Sequence, residues 1–200
     1  MLDKNVKYYG VMMVQNQRIY PMYMLPKGYT FNDYKLGDEE DWAIIETAVG
    51  EFENHSEGKA YFLKTFGQEI NETIRRCLFV CDKHQNKIAT ASAWFGKFEG
   101  EIHPRIHWVA VHPEHRGKGI GKALISELLK RYSELGEDDS VYLTTQTWSY
   151  TAINIYKKFN FIPYNDNRKG IIKGSSGDFK TDFDAAWAII DDKLATYKKS

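Results

Sequence analysis

The residues best suited to chemistry lie in one run, Arg116-Gly117-Lys118-Gly119-Ile120-Gly121-Lys122. It follows an apolar, β-branched segment, Ile106 to Val111, that reads as a buried strand. Pro113 ends that strand, because proline cannot donate to a central ladder. Beyond the run, Leu124, Leu128 and Leu135 recur at helical spacing with Ile125, Leu129 and Tyr132 between them, and Gly136 stands where a C′ glycine belongs. A strand, a basic glycine turn and a helix make an anion site. The first helical turn offers free N–H groups and a partial positive charge, and glycines let phosphate oxygens approach them. A Walker loop is excluded, since Arg116 occupies the place of its first glycine and Ala123 stands where Ser or Thr is required. The dinucleotide fingerprint fails too: counting from Gly117, Gly119 fits, but Lys122 holds the sixth position.

What fits is R-x-x-G-x-G on Arg116, Gly119 and Gly121, preceded by Val109-Ala110-Val111. This resembles the pyrophosphate-binding motif of the GNAT superfamily of acyl-CoA-dependent N-acyltransferases. The resemblance implies acetyl-CoA as co-substrate. It assigns the main chain of Val109, Ala110 and Val111 to the pantetheine arm, and the amides of Arg116, Gly117, Lys118, Gly119, Ile120 and Gly121 to the pyrophosphate. Lys118 and Lys122 become charge partners. A second stretch is similar to the family's N-x-x-A-x-x-L-Y-x-x-x-G-F and carries Ser149, Ala152, Ile155, Tyr156, Asn160 and Phe161. Serine replaces asparagine and asparagine replaces glycine, and both can serve the same cap or turn. The resemblance adds Ser149 to the cofactor contacts and makes Tyr156 the acid that protonates the departing thiolate. Tyr156 also falls on the apolar face of its own helix, where a core tyrosine would sit.

Acyl transfer to an amine needs a neutral nucleophile, a polarised carbonyl and a stabilised thiolate. Many family members place a glutamate base on the central strand; Arg105 stands at about that position here. His107, two residues on, is the better candidate, and one member of the superfamily similarly carries histidine there. An imidazole near neutrality can take the ammonium proton directly or through water. A satisfied sheet histidine is the competing reading, with Glu101, Glu51 and ordered water in reserve. His103 and His107 would lie roughly 13 Å apart along a strand, too far to share one ion. His112 and His115 have no evident third ligand, so no metal is expected.

These groups need a scaffold, and the periodicities supply one. Val6 to Val14 reads as a strand, with a turn at Asn16-Gln17, inside an extension (1–28) expected to pack on the main domain. Tyr29 to Tyr34 is a short strand. Asp38 is placed to cap a helix carrying Trp42, Ile45 and Ala48, which Gly50 ends. A second helical region covers Gly58 to Thr73, with Tyr61, Phe62 and Phe66 apolar. Strands at Cys77 to Cys81 and Lys87 to Phe98 are joined by a polar loop. Four residues of strand span roughly 13 Å, so Cys77 and Cys81 read as core residues rather than a disulfide. Val141 to Trp148 is a strand, Ser149 an N-cap for a helix through Phe159, and Phe161 to Tyr164 a further strand. The element order over 29–164 resembles the GNAT fold: α/β (α+β), with a mixed, mostly antiparallel central sheet splayed between two strands and flanked by helices. The tail, 165–200, passes a GSSG to a helix over Phe183 to Tyr197, where the family usually closes its sheet with a strand hairpin.

Composition bounds the rest. Two hundred residues are enough for one sizeable core. Lys plus Arg and Asp plus Glu are both 27, which argues against general nucleic-acid or anionic-membrane binding. No apolar run would span a bilayer and no signal peptide is evident, so the expected compartment is cytoplasmic. The expected partner is a small-molecule amine acceptor, with a homodimer as a permitted assembly. Two functions compete: an N-acetyltransferase that moves acetyl from acetyl-CoA to a primary amine by direct attack, and a non-catalytic acyl-CoA-binding sensor.

Overall fold

The computed structural model describes residues 2–17, 20–98, 100–137, 140–166 and 176–197. Its elements in chain order are β1 (Gly10–Gln15), β2 (Thr30–Asp33), α1 (Glu39–Val49), α2 (His55–Thr65), α3 (Ile70–Arg76), β3 (Cys77–Cys81), β4 (Lys87–Phe98) and β5 (Glu101–Val111). They continue with α4 (Ile120–Glu134), β6 (Val141–Gln146), α5 (Tyr150–Lys158), β7 (Ile162–Pro163) and α6 (Phe179–Tyr197). The strands form a seven-stranded sheet in the order β2-β3-β4-β5-β6-β1-β7, mostly antiparallel and flanked by helices, the mixed α/β class expected. The chain divides into two compact units, Met22–Phe95 with Ile106–Asp138, and Leu2–Pro21 with Gly96–Arg105 and Asp139–Ser200.

In the first unit β2, β3 and β4 pair antiparallel, with Phe79 opposite both Asn32 and Thr90. Directly opposed residues share a face, so Cys77 and Phe79 lie with Thr90 and Ser92, and the small Ala89 and Ala91 lie with Val80 and Leu78. On the first of these faces Trp42, Phe62, Phe66 and Trp94 form a core with Cys77, Phe79 and Ala110. Helices α1 and α2 meet where Gly58 faces Ala43; a Cβ on Gly58 would lie 3.3 Å from that of Ala43 and from a Phe52 ring carbon. The buried face of α1 is Trp42, Ala43, Ile45 and Glu46, while Ala48 is exposed. The sequence put Ala48 inside and overlooked Glu46, because a charged residue does not register as apolar periodicity. Asp38 occupies the N-cap position of α1 without capping it; its carboxylate accepts from Lys35 N and pairs with Lys87. The expected single helix from Gly58 to Thr73 is α2 and α3 with a 3₁₀ turn at Gly67–Glu69 between them. There Thr73 Oγ1 donates to the carbonyls of Phe66 and Glu69, satisfying backbone acceptors that the break would leave open.

Arg76 at the end of α3 is almost fully buried, and a buried guanidinium needs partners. It has three: Glu72, the backbone carbonyl of Ala93 at 3.1 Å, and a forked contact to Glu137 at 2.6 and 3.0 Å. This knot ties α3 to β4 and to the residue just past the Gly136 terminator of α4.

In the second unit β1 is buried along its whole length and pairs antiparallel with both β6 and β7. The stretch 1–28, expected as an extension lying on the main domain, therefore supplies an interior strand. A strand was expected within Val6 to Val14, and Gly10–Gln15 forms it, buried along its length. Residues before β1 are tied to the end of β6: Thr147 N donates to Tyr9 O, Thr147 Oγ1 to Lys7 O, and Trp148 Nε1 to Val6 O. Gly96 sits under the Tyr142 hydroxyl so closely that a Cβ there would lie 2.2 Å from it. Helix α6 buries Ala186, Trp187, Ile190 and Leu194, and its Asp191 pairs with Lys157 of α5.

Candidate active site

The anion turn is built by backbone conformation. Gly117 and Gly119 have φ of 75° and 87°, in the left-handed region that side chains with a Cβ avoid. At both, the space a Cβ would enter is open. Gly119 is the N-cap of the fifteen-residue α4, and its carbonyl accepts from Lys122 N and Ala123 N. The amides of Ile120 and Gly121 precede those bonds and are the orphan donors of the helix start. The first turn of α4 carries no acidic side chain that would compete for an anion.

Arg116 closes the turn onto the strand by donating from Nε to Val111 O at 3.2 Å, and burial pulls its pKa below the ordinary value. Lys118 Nζ donates to Tyr29 OH and to Glu114 O, and Tyr29 OH also meets His115 Nδ1 at 3.0 Å. Lys122 Nζ lies 4.6 Å from the Tyr23 ring centroid, and Tyr23 N donates to Ser126 Oγ on α4. The segment before β2 thus lines the basic turn, a neighbourhood the sequence did not indicate.

On β5, Ala110 is buried and Val109 and Val111 are half-buried. Just before them Trp108 has φ of 51° in the middle of a strand. For a bulky residue this is a true outlier, of the kind stored where the surroundings over-determine it. It breaks the alternation of side chains between His107 and the residues that follow. His107 meets the Phe66 ring at 5.8 Å, and Trp108 meets Trp42 at 5.2, Tyr61 at 5.0 and Phe52 at 5.5 Å, so two consecutive residues pack on one aromatic cluster. His103 instead packs on Phe98 in the other unit. Among the described residues no group of three His, Cys, Asp or Glu is arranged to hold a metal ion.

Arg105, at the family's base position, is committed elsewhere: it donates to Thr144 Oγ1 at 2.8 Å and lies over the Tyr142 ring. Glu101 is exposed at the start of β5.

In the second unit Tyr156 is buried on α5 and its ring meets Phe161 at 6.0 Å. Asn160, where the family has glycine, has φ of 63°, a conformation asparagine tolerates better than most residues. Ser149, expected to cap α5, makes no capping side-chain bond and belongs to a 3₁₀ turn, Thr147–Ser149. That turn keeps Ser149 out of the extended conformation an N-cap serine uses.

Glu46 went unnoticed in the sequence. It is 1% exposed, one helical turn beyond Trp42 on the same buried face of α1, and its Oε1 has no hydrogen-bond partner. Burial, reinforced by the charge of Glu51, raises its pKa well above the usual carboxylate value. Burial likewise pushes the Cys77 thiol up to about 11.

A strand–glycine turn–helix on a mixed sheet defines an α/β protein with free amides at a helix start, the kind of place where an anion can bind. The chain belongs to the acetyltransferase (GNAT) family, whose model matches residues 17–161. The chain is 30% identical over 81 residues to the L-amino acid N-acyltransferase MnaT of Escherichia coli, covering 39% of this chain and 46% of that enzyme. An uncharacterised N-acetyltransferase of Methanocaldococcus jannaschii is 26% identical over 157 residues, 76% of this chain and 67% of the relative. Among solved structures, a GCN5-related N-acetyltransferase of Sphaerobacter thermophilus has the same fold, with a TM-score of 0.63, 21% identity, and coverage of 78% of this chain and 49% of that one. The matches thus span about half the length of the Escherichia coli and Sphaerobacter thermophilus relatives and about two thirds of the Methanocaldococcus jannaschii one.

Proposed function

We propose that the protein transfers an acetyl group from acetyl-CoA to a primary amine of a small-molecule or amino-acid-like acceptor, by direct attack and in the cytoplasm. The observation that carries the reading is the Arg116–Gly121 turn: two left-handed glycines, open space above them, orphan amides at the start of α4, and no competing carboxylate. Those amides hold the pyrophosphate, and the main chain of Val109 to Val111 holds the pantetheine arm. Ser149 contacts the cofactor, and Lys118 and Lys122 contribute charge. The family's chemistry and the Escherichia coli relative's name support an amine acceptor. His107 takes a proton from the acceptor ammonium. The neutral nitrogen attacks the thioester carbon, the carbon–sulfur bond breaks, the Tyr156 hydroxyl protonates the departing thiolate, and the second proton lost by the new amide nitrogen restores that hydroxyl through solvent. No helix among the described residues is long and apolar enough to cross a membrane.

Tyr156→Phe tests the reading against a non-catalytic sensor. The ring and its packing stay, and only the hydroxyl is lost. Single-turnover rates should fall on the order of 10²–10⁴-fold, with acetyl-CoA affinity nearly unchanged. A variant that turns over at the wild-type rate would reduce Tyr156 to a core residue, and a wild-type protein that binds acetyl-CoA but releases no thiol with any amine would be a sensor.

A further inference from the structure

Lys118 stands between the two left-handed glycines of the anion turn, Gly117 and Gly119, beside the amides assigned to the pyrophosphate. A lysine has a long flexible stem, and ordering it when an anion binds costs rotamer entropy. Here it is already ordered. Its Nζ donates to the main-chain carbonyl of Glu114 at 3.2 Å and to the Tyr29 hydroxyl at 3.3 Å. Among the described residues it pairs with no carboxylate, and both acceptors are neutral, so its charge is not cancelled. An ammonium carries three protons, which leaves one for a ligand.

Tyr29 is itself fixed in place. Gly28 has φ of 91° at the third position of a turn in which Tyr29 N donates to Pro26 O at 3.2 Å. Thr30 then enters β2 opposite Cys81. The protons around the Tyr29 hydroxyl can be counted. Lys118 can only donate, so the phenolic oxygen accepts from it, and the phenolic proton goes to His115 Nδ1 at 3.0 Å. His115 is then neutral, with its own proton on Nε2. Burial, and after it the Lys118 charge, pull the His115 pKa below the ordinary value and favour that form. The two rings also meet edge to face at 5.8 Å. A tyrosine from before β2, a histidine from the 3₁₀ turn after β5 and the turn lysine thus form one directed chain of hydrogen bonds. The same segment sets the Tyr23 ring centroid 4.6 Å from Lys122 Nζ.

We infer that Tyr29 is a positioning residue for acyl-CoA: its hydroxyl, backed by His115, holds Lys118 on the anion turn with one proton free for a CoA phosphate. This rests on the reading that the Arg116–Gly121 turn holds the pyrophosphate. Tyr29 acts through Lys118, by reducing what must be ordered when CoA binds.

Calorimetric titration of the full chain with CoA near neutral pH tests this on Tyr29→Phe, Lys118→Ala and the two combined. Tyr29→Phe removes one oxygen and no charge, so long-range electrostatics stay as they are. It should weaken CoA roughly three- to tenfold, the range of one hydrogen bond, and Lys118→Ala should weaken it at least as much. The losses should not add: with Lys118 already removed, Tyr29→Phe should cost less than about twofold. A merely structural tyrosine would weaken CoA equally in both backgrounds, and that result would overturn the inference. The wild type supplies a reading that needs no variant to fold. Nitrogen NMR should find His115 as the Nε2–H tautomer, and a proton on Nδ1 at neutral pH would overturn the chain of bonds. CoA affinity lowered by Lys118→Ala but untouched by Tyr29→Phe would overturn the inference and leave the pyrophosphate turn standing. A wild type that binds no CoA would remove both.

Discussion

Two regions of the first unit handle charge in opposite ways. The Arg116–Gly121 turn is contiguous in sequence and does its work with backbone: left-handed glycines and the orphan amides of α4. The aromatic cluster of Trp42, Phe52, Tyr61 and Trp108 is gathered from α1, the following bend, α2 and β5, and is built of side chains, with Glu46 buried one turn from Trp42 on α1. A backbone site recognises a group common to every substrate of a family, because its geometry is fixed by glycine positions. A side-chain cluster can change with each substitution, whereas a backbone turn is held by its glycines. The two meet on β5, where the Trp108 outlier separates His107 from Val109–Val111.

His107 sits at that junction, and among changes to these two regions its removal should have the largest effect. His107→Ala is expected to lower turnover about 10²-fold, the low end for a general base, and to erase the fall in rate at acid pH. Profiles recorded with two acceptors of different amine pKa distinguish the enzyme's limb from the acceptor's. Identical limbs in wild type and variant would transfer the role to a carboxylate or to water.

Gly121→Val sharpens the contrast from the backbone side. Gly121 is the second residue of α4, free of the left-handed strain at Gly117 and Gly119, so a side chain there tests occlusion of the amides alone. CoA affinity should fall about tenfold or more by calorimetry with little change in Tm. Retained affinity would remove the pyrophosphate from this turn.

The smallest effect is on stability, from the side-chain site. Glu46 has a raised pKa in the folded state. Below the unfolded value both states hold the proton and Glu46 is neutral. As pH rises past that value the unfolded chain ionises first and gains stability relative to the fold. Glu46→Gln should therefore raise Tm at neutral pH, by about 2–4 °C for each kcal/mol recovered, with the gain vanishing near pH 4. A gain independent of pH would mean that Glu46 is ionised and paired in the fold.

What the sequence determined alone were features carried by neighbouring residues. The strand–turn–helix around Arg116 to Gly121, β3 and β4 at their observed bounds, and the Gly50 and Gly136 terminators all follow from local periodicity and local φ requirements. The same holds for the turn at Asn160, since asparagine accepts the conformation glycine has in the family. The tertiary structure decided whatever depends on long-range pairing. It placed β1 between β6 and β7, engaged Arg105 with Thr144 and Tyr142, and left Ser149 in a 3₁₀ turn. It also turned a glutamate inward beside Trp42. Charge by itself predicts exposure, and only the packing of α1 against the sheet and α2 could bury Glu46, because burial is a property of the neighbours a chain acquires on folding.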